Sequence, residues 1–184
     1  MTLSGANNTI AGNTTFANTG NVSLGGNTTF VSGVTHTAGN STMSGNVQTT
    51  NANARFGTTT LSNNSSINTG SANISFLGTV DGNKSLTVNT TGTTTFSSAV
   101  GGVTRLASLI DVAGNISVLN VSTDGVQNYG GNVTMSGQYV TTNAGLNVNG
   151  TTFLSGNASI NTGSANISFL GTVDGNKSLS LIHI

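Results

Sequence analysis

Large apolar residues along this chain fall in pairs separated by one polar residue. The pairs include Val22/Leu24, Ile74/Phe76, Leu86/Val88, Ile116/Val118, Val133/Met135, Leu146/Val148 and Ile167/Phe169. A spacing of two is the period of a strand with one buried face. Gly, Asn or Asp separates the pairs at intervals of about ten residues, which predicts many short strands joined by tight turns. A recurring cue of Gly, polar, Thr and then a large apolar residue marks several strands: GNTTF at 12–16 and 26–30, GTTTL at 57–61, GTTTF at 92–96 and GTTFL at 150–154. No segment carries an apolar stripe of period 3.6, and Thr, Asn, Ser and Gly form helices poorly, so the prediction is an all-β chain. Its expected core contains Val22, Leu24, Ile74, Phe76, Leu86, Val88, Ile116, Val118, Ile167 and Phe169.

A longer period overlies this rhythm. SINTGSANISFLGTVDGNKSL at 66–86 recurs letter for letter at 159–179. The likeness extends upstream, from GTTTLSNNSSINTG at 57–70 to GTTFLSGNASINTG at 150–163, and TLSGA at 2–6 resembles TFSSA at 95–99. AGNSTMSG at 38–45 and TTNA at 49–52 match GGNVTMSG at 130–137 and TTNA at 141–144, with an offset one residue shorter. The chain therefore divides into two tandem units, 1–86 and 87–179, with 180–184 as a non-repeat tail in one continuous rod. Such repetition points to a β-solenoid, in which each coil lays short strands on the coil below. With coils of about 20 residues the chain makes about nine, a rod about 40–45 Å long. The two identical stretches should share a backbone and stand four to five strand spacings apart, on the order of 20 Å. Residues 179–184 are expected to fray. An antiparallel β-sandwich remains the alternative, because strand periodicity alone does not separate the two.

Composition sharpens the solenoid reading. Only 4% of residues are charged, while 34% are hydrophobic and Pro, Cys and Trp are absent. The hydrophobic content and its alternation argue against disorder. In stacked parallel coils a charge faces its counterpart above and below, whereas Asn, Ser and Thr form hydrogen-bonded ladders. Proline would remove a ladder donor. Net charge is zero, which gives no footing for nucleic acid, and no apolar run approaches 18 residues, so no membrane span is expected. Met1 leads directly into repeat sequence, without a charged-then-apolar leader.

The stretch FLGTVDGNKSLTVNTTGTTTFSSAVGGVTRLASL at 76–109 resembles the β-strand repeats of large bacterial surface and secreted proteins, of the filamentous-haemagglutinin and autotransporter-adhesin kind. The VDG turn, the SLTVNTTGTTTF strand pair and VGGVTRLASL carry the likeness, which covers both units. It implies a right-handed parallel β-helix, an extracellular or cell-surface location and a role as an adhesion stalk. The implied partners are further repeats of the same rod, and host or cell-surface glycans through parts outside this chain. The secretion module and translocating barrel of that family have no counterpart here. Copy two ends in SLIHI where copy one continues TVNTTGTTTF, so a piece of a longer rod is expected.

The residues available for chemistry are few: Asp81, Asp111, Asp124, Asp174, His36, His183, Lys84, Lys177, Arg55 and Arg105. Polysaccharide-cleaving carboxylates must flank one bond, about 5–10 Å apart. Asp81 and Asp174 instead occupy the same VDGNKS turn in the two copies, where Asp-Gly favours a tight turn. His36, in GVTHTAGN, aligns with Asn128 in GVQNYGGN and reads as a lone histidine on a polar turn. Asp81-Gly82-Asn83 begins like an oxygen-ligand loop but lacks a following bidentate glutamate. No catalytic, cofactor-binding or metal residues are therefore assigned, and the expectation is a non-enzymatic structural stalk. Carbohydrate binding or cleavage, and ice binding through threonine runs such as 58–60 and 93–95, are the alternatives. Seventeen Asn-x-Ser/Thr triplets are potential glycosylation acceptors, although strand alternation itself places polar residues at i and i+2.

Overall fold

A computed structural model describes residues 1–183. Among them every strand ladder is parallel and no helix forms. The strands stack into sheets of 12 and 11 members, which is a β-solenoid and rules out the antiparallel sandwich. The register resolves three faces per coil. One face runs inward through Val22, Ser41, Thr59, Val80, Val100, Val121, Tyr139, Ile160 and Leu181. The second runs through Thr28, Val47, Ile67, Val88, Asp111, Tyr129, Val148 and Phe169. The third runs through Thr14, Val34, Ala54, Ile74, Thr94, Ile116, Val133, Thr152 and Val173. Nine coils result, and the eight steps from Val22 to Leu181 average about 20 residues, the length expected from the turn spacing.

Alternation packs the core as the pairs predicted. Val22, Leu24, Ile74, Phe76, Leu86, Val88, Ile116 and Val118 are all buried. Phe56, Phe76 and Phe96 stack up the third face, with ring centroids 6.0 and 4.9 Å apart. Stacked rings of this kind contribute about 0.5–1.5 kcal/mol per pair beyond the area they bury. Corners need special backbone. Val22–Phe30 continues from the first face onto the second, and at the bend Gly26 takes a φ of 63°. A side chain at Gly26 would strike the Gly5 carbonyl of the coil below, so only glycine fits.

The two identical stretches repeat their local conformation. Ile74–Phe76 and Ile167–Phe169 are strands, as are Val80–Asp81 and Val173–Asp174. Gly70 and Gly163 take φ of 65° and 61°, and Gly82 and Gly175 take 125° and 118°. The copies nevertheless lie on different faces. Ile74 belongs to the third face and Ile167, paired with Leu146, to the second. Val80 belongs to the first and Val173 to the third. Ninety-three residues, at about 20 per coil, amount to four and two-thirds coils. The same letters are thus advanced about 22 Å and turned by one face.

The 86/87 boundary between the repeat units falls inside the strand Ser85–Asn89 of one continuous rod. Two expectations need correcting. Ile167 and Phe169 are only half-buried, because no complete coil covers the ninth. Leu179–Ile182 does not fray: it pairs with residues 158–161 as the first strand of a further coil, although Leu181 and Ile182 remain exposed. Ile184 lies outside the described residues.

Candidate functional site

Polar groups inside a narrow apolar core mark the positions where this chain departs from pure packing. His36 is one of them. It lies in the strand Val34–His36, in phase with Val34, and both point inward, so the turn reading is corrected. Its ring meets Phe16 edge-on, with centroids 6.1 Å apart. Nε2 donates to the Asn18 carbonyl at 3.3 Å, and Nδ1 lies 2.8 Å from the hydroxyl of Ser41. A serine beside a histidine is the start of a nucleophile and its base. Here both side chains are buried and both ring nitrogens are occupied, which makes the pair a core hydrogen bond without access for substrate.

Asp111 is the second departure. The strand Ser108–Val112 turns Leu109 and Asp111 inward, above Leu86 and Val88. Asp111 is 0% exposed. Oδ1 accepts from the Thr94 hydroxyl at 3.2 Å and the Ala113 amide at 3.1 Å, while Oδ2 has no partner. Burial pushes its carboxyl up to about 7, against smaller opposing contributions from those two hydrogen bonds. In the next coil the buried Tyr129 donates to Gln127 Oε1 at 3.2 Å, and Gln127 Nε2 donates to the Thr123 hydroxyl at 3.2 Å and the Val140 carbonyl at 3.0 Å. Burial, then proximity to Tyr139 and Asp111, raises the Tyr129 phenol well above its ordinary range. Tyr139 is raised chiefly by burial, and it donates to the Val118 carbonyl at 2.9 Å. Hydroxyl and amide neighbours replace ordinary aliphatic packing through this part of the rod.

The remaining ionisable groups lie outside and apart. Asp81 accepts at Oδ1 from the amides of Val103 at 2.8 Å and Thr104 at 3.1 Å, tying down the exposed loop that follows Gly101. Asp174 instead accepts from the amide of Gly175, its own neighbour. The two aspartates sit on different faces more than four coils apart, roughly 20 Å, well beyond the 5–10 Å at which two carboxylates share one glycosidic bond. Arg105 and Asp124 form a marginal exposed ion pair at 4.0 Å, with Arg105 also donating to Thr142 at 3.0 Å. Such a pair contributes about 0–1 kcal/mol. His183 lies beside the Ala165 carbonyl at 2.9 Å. Lys84 and Lys177 occupy the two copies of the VDGNKS turn. Among the described residues no three potential metal ligands gather at one point.

Among the described residues three open grooves mark the surface, the smallest of them beside Asn166, Ile167, Leu181 and His183; the other two are larger. One, of about 340 Å³, is lined by Ile110, Val112, Asn128, Gly130, Asn147 and Asn149 on the outside of the second face, with Asp111 contributing from the same strand. Gly130 opens it, since a methyl there would press on Val112 at 3.2 Å. The other, of about 370 Å³, is polar and includes Arg55 with Asn13, Asn51 and Asn53. A ladder of small polar side chains runs up the outside of the rod. Asn27 donates to Asn7 at 3.1 Å, Asn46 to Asn27 at 2.7 Å, and Ser66 to Asn46 at 2.7 Å. The outward row of the third face runs Thr15, Thr35, Arg55, Ser75, Thr95, Ser117, Thr134, Phe153, so its hydroxyls are interrupted twice.

The chain matches no protein-family model, no curated protein and no solved structure. Its geometry defines a β-solenoid with an apolar core, a short polar section within that core, and laddered faces that carry few charges. The sequence named Asp111 and His36 as chemically available without showing that both are buried. The signal was present in the phase. SLIDV aligns with SLTVN, and VTH with ISF, so alternation places Asp111 and His36 inward.

Proposed function

We propose that this chain is a stalk segment, a non-catalytic rod from a bacterial surface or secreted adhesin whose task is to hold a binding tip away from the cell. The observation that supports this most directly is the uninterrupted stacking of nine coils on one core, with backbone hydrogen bonds running along the rod axis. Each added coil lengthens the rod by about 4.8 Å while burying its own apolar residues. Ladders such as Asn7, Asn27, Asn46 and Ser66 continue that axial linkage on the outside. The adhesin assignment rests on the resemblance of residues 76–109 to adhesin repeats. Assays of the purified rod for polysaccharide cleavage and for thermal hysteresis should both be negative, and activity in either overturns the stalk reading. The parent gene should encode tens of further repeats and a secretion module.

A second reading has one specific observation in its favour. The groove at Gly130 combines aliphatic Ile110 and Val112 with the amides of Asn128, Asn147 and Asn149, and carries no exposed charge. Such a mixture of aliphatic and amide groups would suit a neutral glycan. Titration with a neutral linear oligosaccharide, followed by amide shifts at Asn128 and Asn147, separates a binding rod from a passive one.

A further inference from the structure

Along the second face the coil steps are nearly uniform until Val88. The step from Val88 to Asp111 then takes 23 residues and the next, from Asp111 to Tyr129, takes 18, the longest and the shortest on that face. The extra length is the loop at 101–105, whose Val103 is 88% exposed. At the junction of these unequal coils the inward row of Val47, Ile67 and Val88 is broken by the carboxylate of Asp111, followed by the phenol of Tyr129.

Among the described residues no cation compensates this carboxylate. Val88 faces it from the coil below, Thr94 from the third face and Tyr129 from the coil above, and Tyr129 is the one titratable side chain among them. The hydroxyl of Tyr129 is already committed to Gln127. The nearest basic residue in sequence, Arg105, lies outside and engages Asp124 and Thr142. An ionised Asp111 therefore leaves Oδ2 as a buried charged acceptor with no protein donor, a costly state that the neutral carboxyl avoids.

We propose that Asp111 makes the middle of the rod a proton-operated joint: neutral Asp111 locks the fifth to seventh coils together, and loss of its proton loosens them while the flanking coils stay closed. Solenoid coils are held by their nearest neighbours, so a buried charge at one level opens that level first. The sign follows from the direction of the shift. The folded-state carboxyl is raised from 3.8 to about 7, so its contribution is fully present below 3.8 and is lost as pH rises to about 7. Acid tightens this joint, the reverse of ordinary acid denaturation.

Hydrogen exchange on the whole chain, corrected for intrinsic rates, tests the proposal between acid and neutral pH. Amides of Ser108–Val112, Asn115–Val118 and Gln127–Tyr129 should lose protection as pH rises, with the local opening constant growing by up to about a thousandfold. Those of Val22–Phe30 and Ser41–Thr49 should stay constant. Asp111→Asn should abolish the pH dependence. If that variant does not fold, Asp111→Val, which continues the row of Val88, takes its place. Carbon NMR of the wild-type Asp111 carboxyl supplies a readout that needs no variant, with a midpoint expected near 7. A midpoint near 3.8, a wild-type profile that is flat or falls evenly along the rod, or an unchanged profile in the folded variant each overturns the joint.

Discussion

Residues 66–86 and 159–179 are the same 21 letters on different faces of one rod. Their turns agree closely, down to φ values of 125° and 118° at Gly82 and Gly175. Their burial does not. Ile74 and Phe76 are sealed between coils, whereas Ile167 and Phe169 are half-buried and Val173 is 42% exposed where its counterpart Val80 is 0%. Conformation is thus set within the stretch, while burial is set by the coils that neighbour it. Short strands and glycine turns need only local interactions. An apolar core needs a layer on each side.

The sharpest way to break this comparison is a charge at matching positions. Ile74→Asp should cost well above the roughly 2–5 kcal/mol of truncating a buried isoleucine to alanine, because the new carboxylate has no partner. Ile167→Asp should cost about 1–2 kcal/mol, since its side chain already reaches solvent. Hydrogen exchange should place the damage of Ile74→Asp in the adjacent coils. Uniform loss of protection would mean one globally cooperative domain. Next in size is a change to the part that the copies share. Gly82→Ala and Gly175→Ala both force a side chain into positive φ and against the carbonyls of Leu61 and Leu154. Each should cost roughly 1–3 kcal/mol, and the two should agree within about 0.5. A clear inequality in denaturant titrations would show that the turns are held by their neighbours after all. The smallest effect belongs to Asp81→Asn and Asp174→Asn, each expected below about 0.5 kcal/mol, because an amide oxygen still accepts from Val103 and Thr104 or from Gly175. A large loss at Asp81 alone would make the loop at 101–105 a structural clamp.

Much of the architecture was legible in the sequence because it rests on local rules. Val22/Leu24, Ile74/Phe76 and Leu86/Val88 alternate, Asp-Gly and Asn residues turn, and the turn spacing sets a coil near 20 residues. The face on which each strand lands was not legible. That depends on every preceding coil: the offset between GVTHTAGN and GVQNYGGN, which align in sequence, is not a whole number of coils, so His36 lands on the third face and Asn128 on the second. The inward position of Asp111 escaped notice for a different reason. A search for apolar alternation passes over an inward position filled by a carboxylate, and only the phase of Leu109 shows where its neighbour points.

The fractional coil count of the 93-residue offset has a consequence for any longer array built from it. A whole number of coils would display each surface motif in a straight line up one side. Four and two-thirds coils instead make the array a screw. Successive copies present the same motif about 120° apart, and the motif returns to its starting side only after three copies, about 14 coils or roughly 67 Å. Such an array shows every motif in all directions around its circumference. A flat partner approaching from one side meets only every third copy, so its valency on the rod is a third of the repeat number.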